Sequence, residues 1–136
     1  MGSRQRPLIY AAHPMTTYGT PREARALARI ASLAPGAEII DPAARYSNTA
    51  HWQHDWPRLV SQLAALVVFG DRGRTLGTGC IHELADAWWQ GVPVAMLDAD
   101  ERCRQMVGLR VFSERIRTAW RAGASIPGRP LVLADG

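Results

Sequence analysis

The sequence predicts an α/β domain built on a mostly parallel sheet of five strands. Short apolar runs alternate along the chain with segments of helical pattern, which is typical of a parallel sheet covered by helices. A glycine-rich segment at residues 75–79 follows the third apolar run, where open parallel sheets place a ligand-binding loop. The expected strands are residues 8–12, 38–40, 66–69, 92–97 and 131–133.

Capping residues and stop signals predict the helices. Thr20 can cap a first helix that has Pro21 at its first position, and Glu23 completes a capping box. A Pro-Gly pair at residues 35–36 ends this helix. Further helices are expected over residues 56–64, from the glycine-rich segment to residue 90, and over residues 110–121.

Length and composition predict one globular domain over residues 1–136, since 47% of the residues are hydrophobic. No run of eighteen apolar residues occurs, and no signal-type apolar segment precedes the first strand, so we expect a cytoplasmic protein without a membrane partner. Cys80 and Cys103 form neither a metal-type pair nor a disulfide framework and are expected as free thiols.

The charge pattern argues against a nucleic-acid partner. All 16 basic residues are Arg, and they are scattered without a continuous basic stripe, although the net charge is +4. A basic balance suits an anionic small ligand such as a nucleotide, and Arg72 and Arg74 lie in the loop that leads to Glu83. These two arginines could equally belong to a solvated loop.

Glu83 is the leading candidate for a reacting group. We expect it in the first turn of its helix, directly after the glycine-rich segment, where a helix N-terminus favours an ionised carboxylate. The competing interpretation is a helix-dipole contact alone. A capping box is excluded because position 80 is Cys rather than Ser or Thr.

Four motifs in order resemble the nucleoside 2-deoxyribosyltransferase family. They are the run Ile9-Tyr10-Ala11-Ala12-His13-Pro14-Met15, the segment Ile40-Asp41-Pro42-Ala43, Asp55 before the third strand, and the glycine-rich turn with Glu83. The resemblance covers about residues 8–98. It implies a flavodoxin-like or Rossmann-like three-layer sandwich that breaks an N-glycosidic bond of a nucleoside or nucleotide without a cofactor.

The resemblance also implies roles for individual residues. Glu83 matches the nucleophile that forms a covalent glycosyl intermediate, and Tyr10, at the carboxyl end of the first strand, matches a tyrosine that contacts it. Asp55 matches an aspartate near the departing base, although it could equally be the cap of the helix that begins at Trp56. We expect Tyr10, Asp55 and Glu83 to converge at the carboxyl edge of the sheet.

Substrate-binding candidates surround these three residues. They are His13 and Met15 after the first strand, Gly77, Thr78 and Gly79 in the glycine-rich turn, and Trp52. Trp52 and Trp56 would share a helix face, either as a base-stacking wall or as core packing.

The chain departs from the family pattern at positions that affect the substrate. His13 stands where glycine is usual, Gly77 where many nucleotide-directed relatives carry serine, and Leu63 where aspartate is frequent. Thr75 or Thr78 could replace the serine. The C-terminal residues show no equivalent of the element that a neighbouring subunit contributes in the family, so hydrolysis is as much expected as base transfer.

Two functions therefore remain open, an N-glycosidase or deoxyribosyltransferase and a non-catalytic nucleotide-binding module. No metal is expected, because His51 and His54 lack accompanying ligands and the pair at 82–83 lacks the second histidine of a zinc helix. Tryptophans at helical positions indicate packing or a subunit interface, and we expect a homo-oligomer. These tryptophans are Trp88, Trp89 and Trp120.

Overall fold

The computed structural model describes residues 6–71, 78–98 and 100–105. They form a mostly parallel sheet whose strand order is β2-β1-β3-β4-β5. The first four strands run parallel, and β5 runs antiparallel to β4. The strands are β1 (Leu8–Ala12), β2 (Glu38–Ile40), β3 (Ala65–Phe69), β4 (Val94–Leu97) and β5 (Cys103–Gln105). The predicted fold class is confirmed, and the order matches that of flavodoxin-like sheets.

The helices begin where side chains accept a hydrogen bond from the first turn. Thr20 accepts from the Glu23 backbone N–H, as the sequence predicts, and Pro21 is the first helical residue. Asp41 and Asn48 cap the next two helices in the same way. The helices are α1 (Pro21–Leu33), α2 (Pro42–Arg45), α3 (Thr49–Val60) and α4 (Thr78–Trp89), and a single 3-10 turn covers Met15–Thr17.

The strands separate two hydrophobic cores because successive side chains point to opposite faces. Tyr10, Leu66 and Val68 face a core that also contains side chains of α3 and α4. Val67 and Phe69 face a second core, formed with α1. The sheet is thus the middle layer of a three-layer sandwich.

Helix α3 begins earlier than the sequence predicts. Its first residue is Thr49 and its cap is Asn48, so the prediction that Asp55 caps a helix starting at Trp56 was wrong. Pro57 lies inside the helix, where it removes one backbone hydrogen bond. Burial of Trp56 and its apolar neighbours on the same face of α3 offsets that loss.

The fifth described strand was not predicted. β5 has only three residues, no apolar pattern, and follows β4 through a tight turn in which Asp98 accepts from two backbone N–H groups. Glu101 in this turn has a left-handed backbone, with φ of 58°. The helix predicted at 110–121 and the strand predicted at 131–133 lie outside the described residues. Within the described part of the chain, none of the helices has the length and apolar character that crossing a membrane requires.

Candidate active site

Glu83 lies in the second turn of α4, not in the first. The helix begins at Thr78, so Glu83 is its sixth residue, and the prediction of a first-turn carboxylate was wrong. The reason is that the helix starts inside the glycine-rich run. Gly79 is helical rather than part of a loop, and Gly77 lies outside the described residues, as do Arg72, Arg74 and Thr75.

Two hydrogen-bond donors from other elements meet at one oxygen of Glu83. The Tyr10 hydroxyl donates to Oε2 from β1, and the Trp52 indole N–H donates to the same atom from α3 at 2.9 Å. Tyr10 is the third of the five residues of β1, so the contact lies over the middle of the strand rather than at its carboxyl end. Trp52 and Tyr10 lie 31 and 73 residues from Glu83 along the chain, and the three side chains meet between the sheet, α3 and α4.

Burial controls the ionisation of Glu83. The side chain is 3% exposed, and burial raises its pKa to about 8. The hydrogen bonds from Tyr10 and Trp52 lower this pKa but do not offset the effect of burial. The charge of nearby Asp86 adds to the rise. Burial thus favours the neutral acid, and the stabilisation expected from a helix N-terminus does not apply, because that effect falls off within the first turn and Glu83 lies in the second.

Aromatic side chains surround the carboxyl group. Burial, and then the charge of Glu83, raises the pKa of Tyr18 to about 12, which places this residue of the β1–α1 loop within electrostatic reach of Glu83. The Trp52 ring meets the His82 ring edge-on at 5.2 Å. Tyr46 packs against the same core and interacts with Tyr10. Neither Tyr18 nor Tyr46 was predicted as a site residue from the sequence, and only the position of Tyr18, five residues after His13, could have indicated one of them.

Asp55 contacts Tyr46, one of these aromatic side chains, and has no described hydrogen bond to Glu83. Its carboxylate accepts from Arg45 Nε at 2.8 Å and from the Tyr46 hydroxyl at 2.8 Å. The Arg45 guanidinium holds the pKa of Asp55 below its usual range. Partial burial raises this pKa, and the hydrogen bond from the Tyr46 hydroxyl lowers it further. An ionised carboxylate accepts protons and does not deliver them, so the geometry suits Asp55 to holding Tyr46 in place.

We expect Asp55→Asn to lower kcat/KM by less than about tenfold. If Asp55 were the general acid, its loss would lower kcat/KM by about 10²–10⁴-fold. Steady-state kinetics on a cleaved nucleoside measure the change. Tyr46→Phe is the matched variant, since it removes the hydroxyl that Asp55 holds. A loss of a hundredfold or more in Asp55→Asn alone would restore the acid role that the family resemblance implies.

His13 is enclosed by protein rather than presented to a ligand. Its Nδ1 lies 2.6 Å from Thr17 Oγ1, its Nε2 lies 2.8 Å from Asp41 Oδ1, and its ring stacks on Phe69. A substrate could reach either nitrogen only by displacing one of these bonds. Met15, in the same loop, is 78% exposed.

His13, Glu23 and Asp41 form the described cluster that comes closest to a metal-ligand set. One ligand atom from each lies within 4.8 Å of the others. Glu23 Oε2 is buried without a described hydrogen-bond partner and lies 3.8 Å from His13 Nδ1. Because both histidine nitrogens already have hydrogen-bond partners, the arrangement is that of a buried polar cluster joining β1, β2 and α1.

Comparison with known proteins supports the architecture. No family model and no curated protein matches the chain. It is similar to the crystal structure of a conserved protein from Enterococcus faecalis V583, with a TM-score of 0.57 and 17% sequence identity over 93% of this chain and 91% of that chain. At this identity the likeness shows the fold alone.

Proposed function

We propose that this protein cleaves the N-glycosidic bond of a nucleoside or nucleotide, with Glu83 forming a covalent glycosyl intermediate. The observation that carries the proposal is the buried Glu83 carboxyl group, held by donors from β1 and α3 on a single oxygen. The order of sequence motifs that resembles the nucleoside 2-deoxyribosyltransferase family supports the same assignment. The geometry supports the choice of Glu83 as the reacting group, and the substrate class rests on the resemblance.

The chemistry requires a carboxylate on one face of the sugar. The bond between the anomeric carbon and the base nitrogen breaks, and the base leaves with the electron pair and takes up a proton. The ionised Glu83 stabilises the positive charge that develops on the sugar and bonds to the anomeric carbon. Water then attacks that carbon, breaks the ester bond and regenerates the carboxylate, or a second base attacks and gives an exchanged nucleoside.

The aromatic groups around Glu83 suit such a substrate. Tyr18 and Trp52 offer apolar ring faces with polar tips, which can contact a sugar or stack on a base. Met15 is exposed in the loop after β1, and Thr78 and Gly79 form the start of α4. These residues are our proposed substrate contacts, together with Gly77.

A non-catalytic nucleotide-binding module is the second candidate. The observation that favours it is the burial of Glu83, since a carboxyl group at 3% exposure with two hydrogen-bond donors could serve packing alone. Such a module would bind a nucleoside and release no base.

Product analysis separates these functions. We expect incubation of purified protein with a panel of ribonucleosides, 2-deoxyribonucleosides and their 5′-monophosphates to release free base from at least one of them. Chromatography measures the release, and Glu83→Gln protein purified in parallel controls for contaminating nucleosidase. Binding by calorimetry without any release would favour the binding module.

We further expect hydrolysis to exceed base exchange. Met15 is 78% exposed and Tyr18 is 38% exposed, so the loop after β1 borders solvent, and we propose that water reaches the intermediate from this side and competes with an acceptor base. A second free base is added at millimolar concentration, the upper end of ordinary enzyme affinities, and free sugar is compared with exchanged nucleoside. Exchange as the dominant product would assign a transferase.

A further inference from the structure

We propose that Trp52 is a positioning residue for Glu83. Its indole N–H and the Tyr10 hydroxyl together fix Oε2 and keep Oε1 as the oxygen directed at the substrate. This inference rests on the proposed function for the identity of the reaction. Its effect on Glu83 itself can be measured in the protein without any substrate.

The geometry gives Trp52 a role that packing alone would not require. The two donors come from different elements, the strand β1 and the helix α3, and they reach the same carboxyl oxygen. Two donors on one oxygen oppose rotation of the carboxyl group about its terminal bond, because rotation would break both bonds. Glu83 Oε1 is the oxygen that these donors leave uncommitted, so it is the atom able to bond to a sugar carbon.

Trp52 also supports the reactive form of Glu83. A hydrogen bond to a carboxylate is stronger than one to the neutral acid, so an indole donor stabilises the ionised state against the cost of burial. The titratable groups described around Glu83 are Tyr10 on β1, Tyr18 in the loop that follows, and Asp86 on α4 itself. The described group of α3 that contacts Glu83 is the Trp52 indole.

The same pair of helices supplies a matched control. One turn further along α3, the Trp56 indole N–H donates to Asp86 Oδ2 on α4, also at 2.9 Å. Trp56 is 1% exposed and packs against the Tyr10 ring, with centroids 4.8 Å apart. Trp56→Phe therefore removes an indole donor between the same two helices while the Trp52 bond to Glu83 stays in place, so it acts on Glu83 only indirectly, through Asp86 and the Tyr10 ring.

The test is the titration of Glu83 in Trp52→Phe, Trp56→Phe and wild-type protein. Carbon-13 labelling of the glutamate side-chain carboxyl groups gives the signal, and the resonance missing from Glu83→Gln assigns it. We expect Trp52→Phe to raise the pKa of Glu83 by about 1–2 units, the worth of one hydrogen bond to a charged group. Trp56→Phe is expected to cause a much smaller change.

The kinetic counterpart is the pH profile of kcat/KM. Its rising limb reports the ionisation of the essential carboxylate in the free enzyme, and Trp52→Phe should move it to higher pH by the same amount as the titration. A merely structural role for Trp52 would lower activity at every pH without moving the limb. The proposal is overturned if Trp52→Phe changes neither the pKa of Glu83 nor the pH of the rising limb of kcat/KM.

The outcomes also separate this proposal from the proposed function. If Trp52→Phe shifts the titration but no nucleoside is cleaved by the wild type, Trp52 controls Glu83 and the glycosidase assignment fails. If Trp52→Phe does not fold, benzothienylalanine at position 52 provides the second variant, because it replaces the N–H by sulfur with almost no change of shape. An unchanged Glu83 titration in that protein would likewise contradict the role.

Discussion

Glu83→Gln is expected to lower kcat for base release by several powers of ten, because an amide cannot form the glycosyl ester on which the proposed reaction depends. The substitution preserves shape, and the amide oxygen can still accept from Tyr10 and Trp52. Single-turnover and steady-state release of base, measured by chromatography, give the size of the effect. Circular dichroism and thermal melting at pH 6 establish that the variant is folded.

Glu83→Ala supplies the complementary measurement. This change removes the carboxyl group and opens space beside Tyr10 and Trp52 that a small anion can enter. Added azide or formate should restore part of the base release, and azide should give a glycosyl azide that mass spectrometry detects. A Glu83→Gln protein that melts early yet keeps wild-type turnover would instead assign Glu83 to a structural role.

The second large effect is on stability at alkaline pH. Burial raises the pKa of Glu83 from its ordinary 4.5 to about 8 in the folded protein, so the folded state holds this proton more tightly than the unfolded chain. Stability from the buried neutral acid is therefore complete below about pH 4.5 and is lost as the pH rises through 8. Between pH 5 and pH 9 this loss is on the order of 3–5 kcal/mol.

Glu83→Gln isolates that contribution, because glutamine does not titrate. The free energies of unfolding of wild type and variant, from urea denaturation, should be similar near pH 5, should diverge steadily up to about pH 8 and should differ little more above it, with the variant more stable at pH 9. Burial and the charge of Glu83 also raise the pKa of Tyr10, so that group stays protonated throughout this range. Equal slopes of stability against pH in the two proteins would contradict the buried, proton-holding state of Glu83.

Much of the fold follows from short-range patterns in the sequence. The strands β1 and β2 and the capped start of α1 lie where short apolar runs and a Thr-Pro-x-Glu start predict them. The same rules misplaced α3, because Asp55-Trp56-Pro57 has the form of a helix start, whereas Asn48 upstream supplies the actual cap. They missed β5, which has no apolar run of the kind that marks the equally short β2.

The candidate site was only partly accessible from sequence. The family resemblance implied a contact between Tyr10 and Glu83, and their side chains are hydrogen-bonded in the structure. Trp52 was expected as a base-stacking wall or as core packing, and the structure shows that it also donates to the carboxyl group. Asp55 and His13, expected at the substrate, are held by protein partners that include Tyr46 and Asp41.

The sequence by itself determined β1, β2 and the capped start of α1 and singled out Glu83, because apolar runs and caps act between residues a few positions apart. Only the tertiary structure decided the chemical state of that carboxylate. Burial of Glu83 arises from β1, α3 and α4 packing together, and its donors lie 73 and 31 residues away along the chain. A pKa depends on the distance to charges and to water, and packing over such separations establishes both.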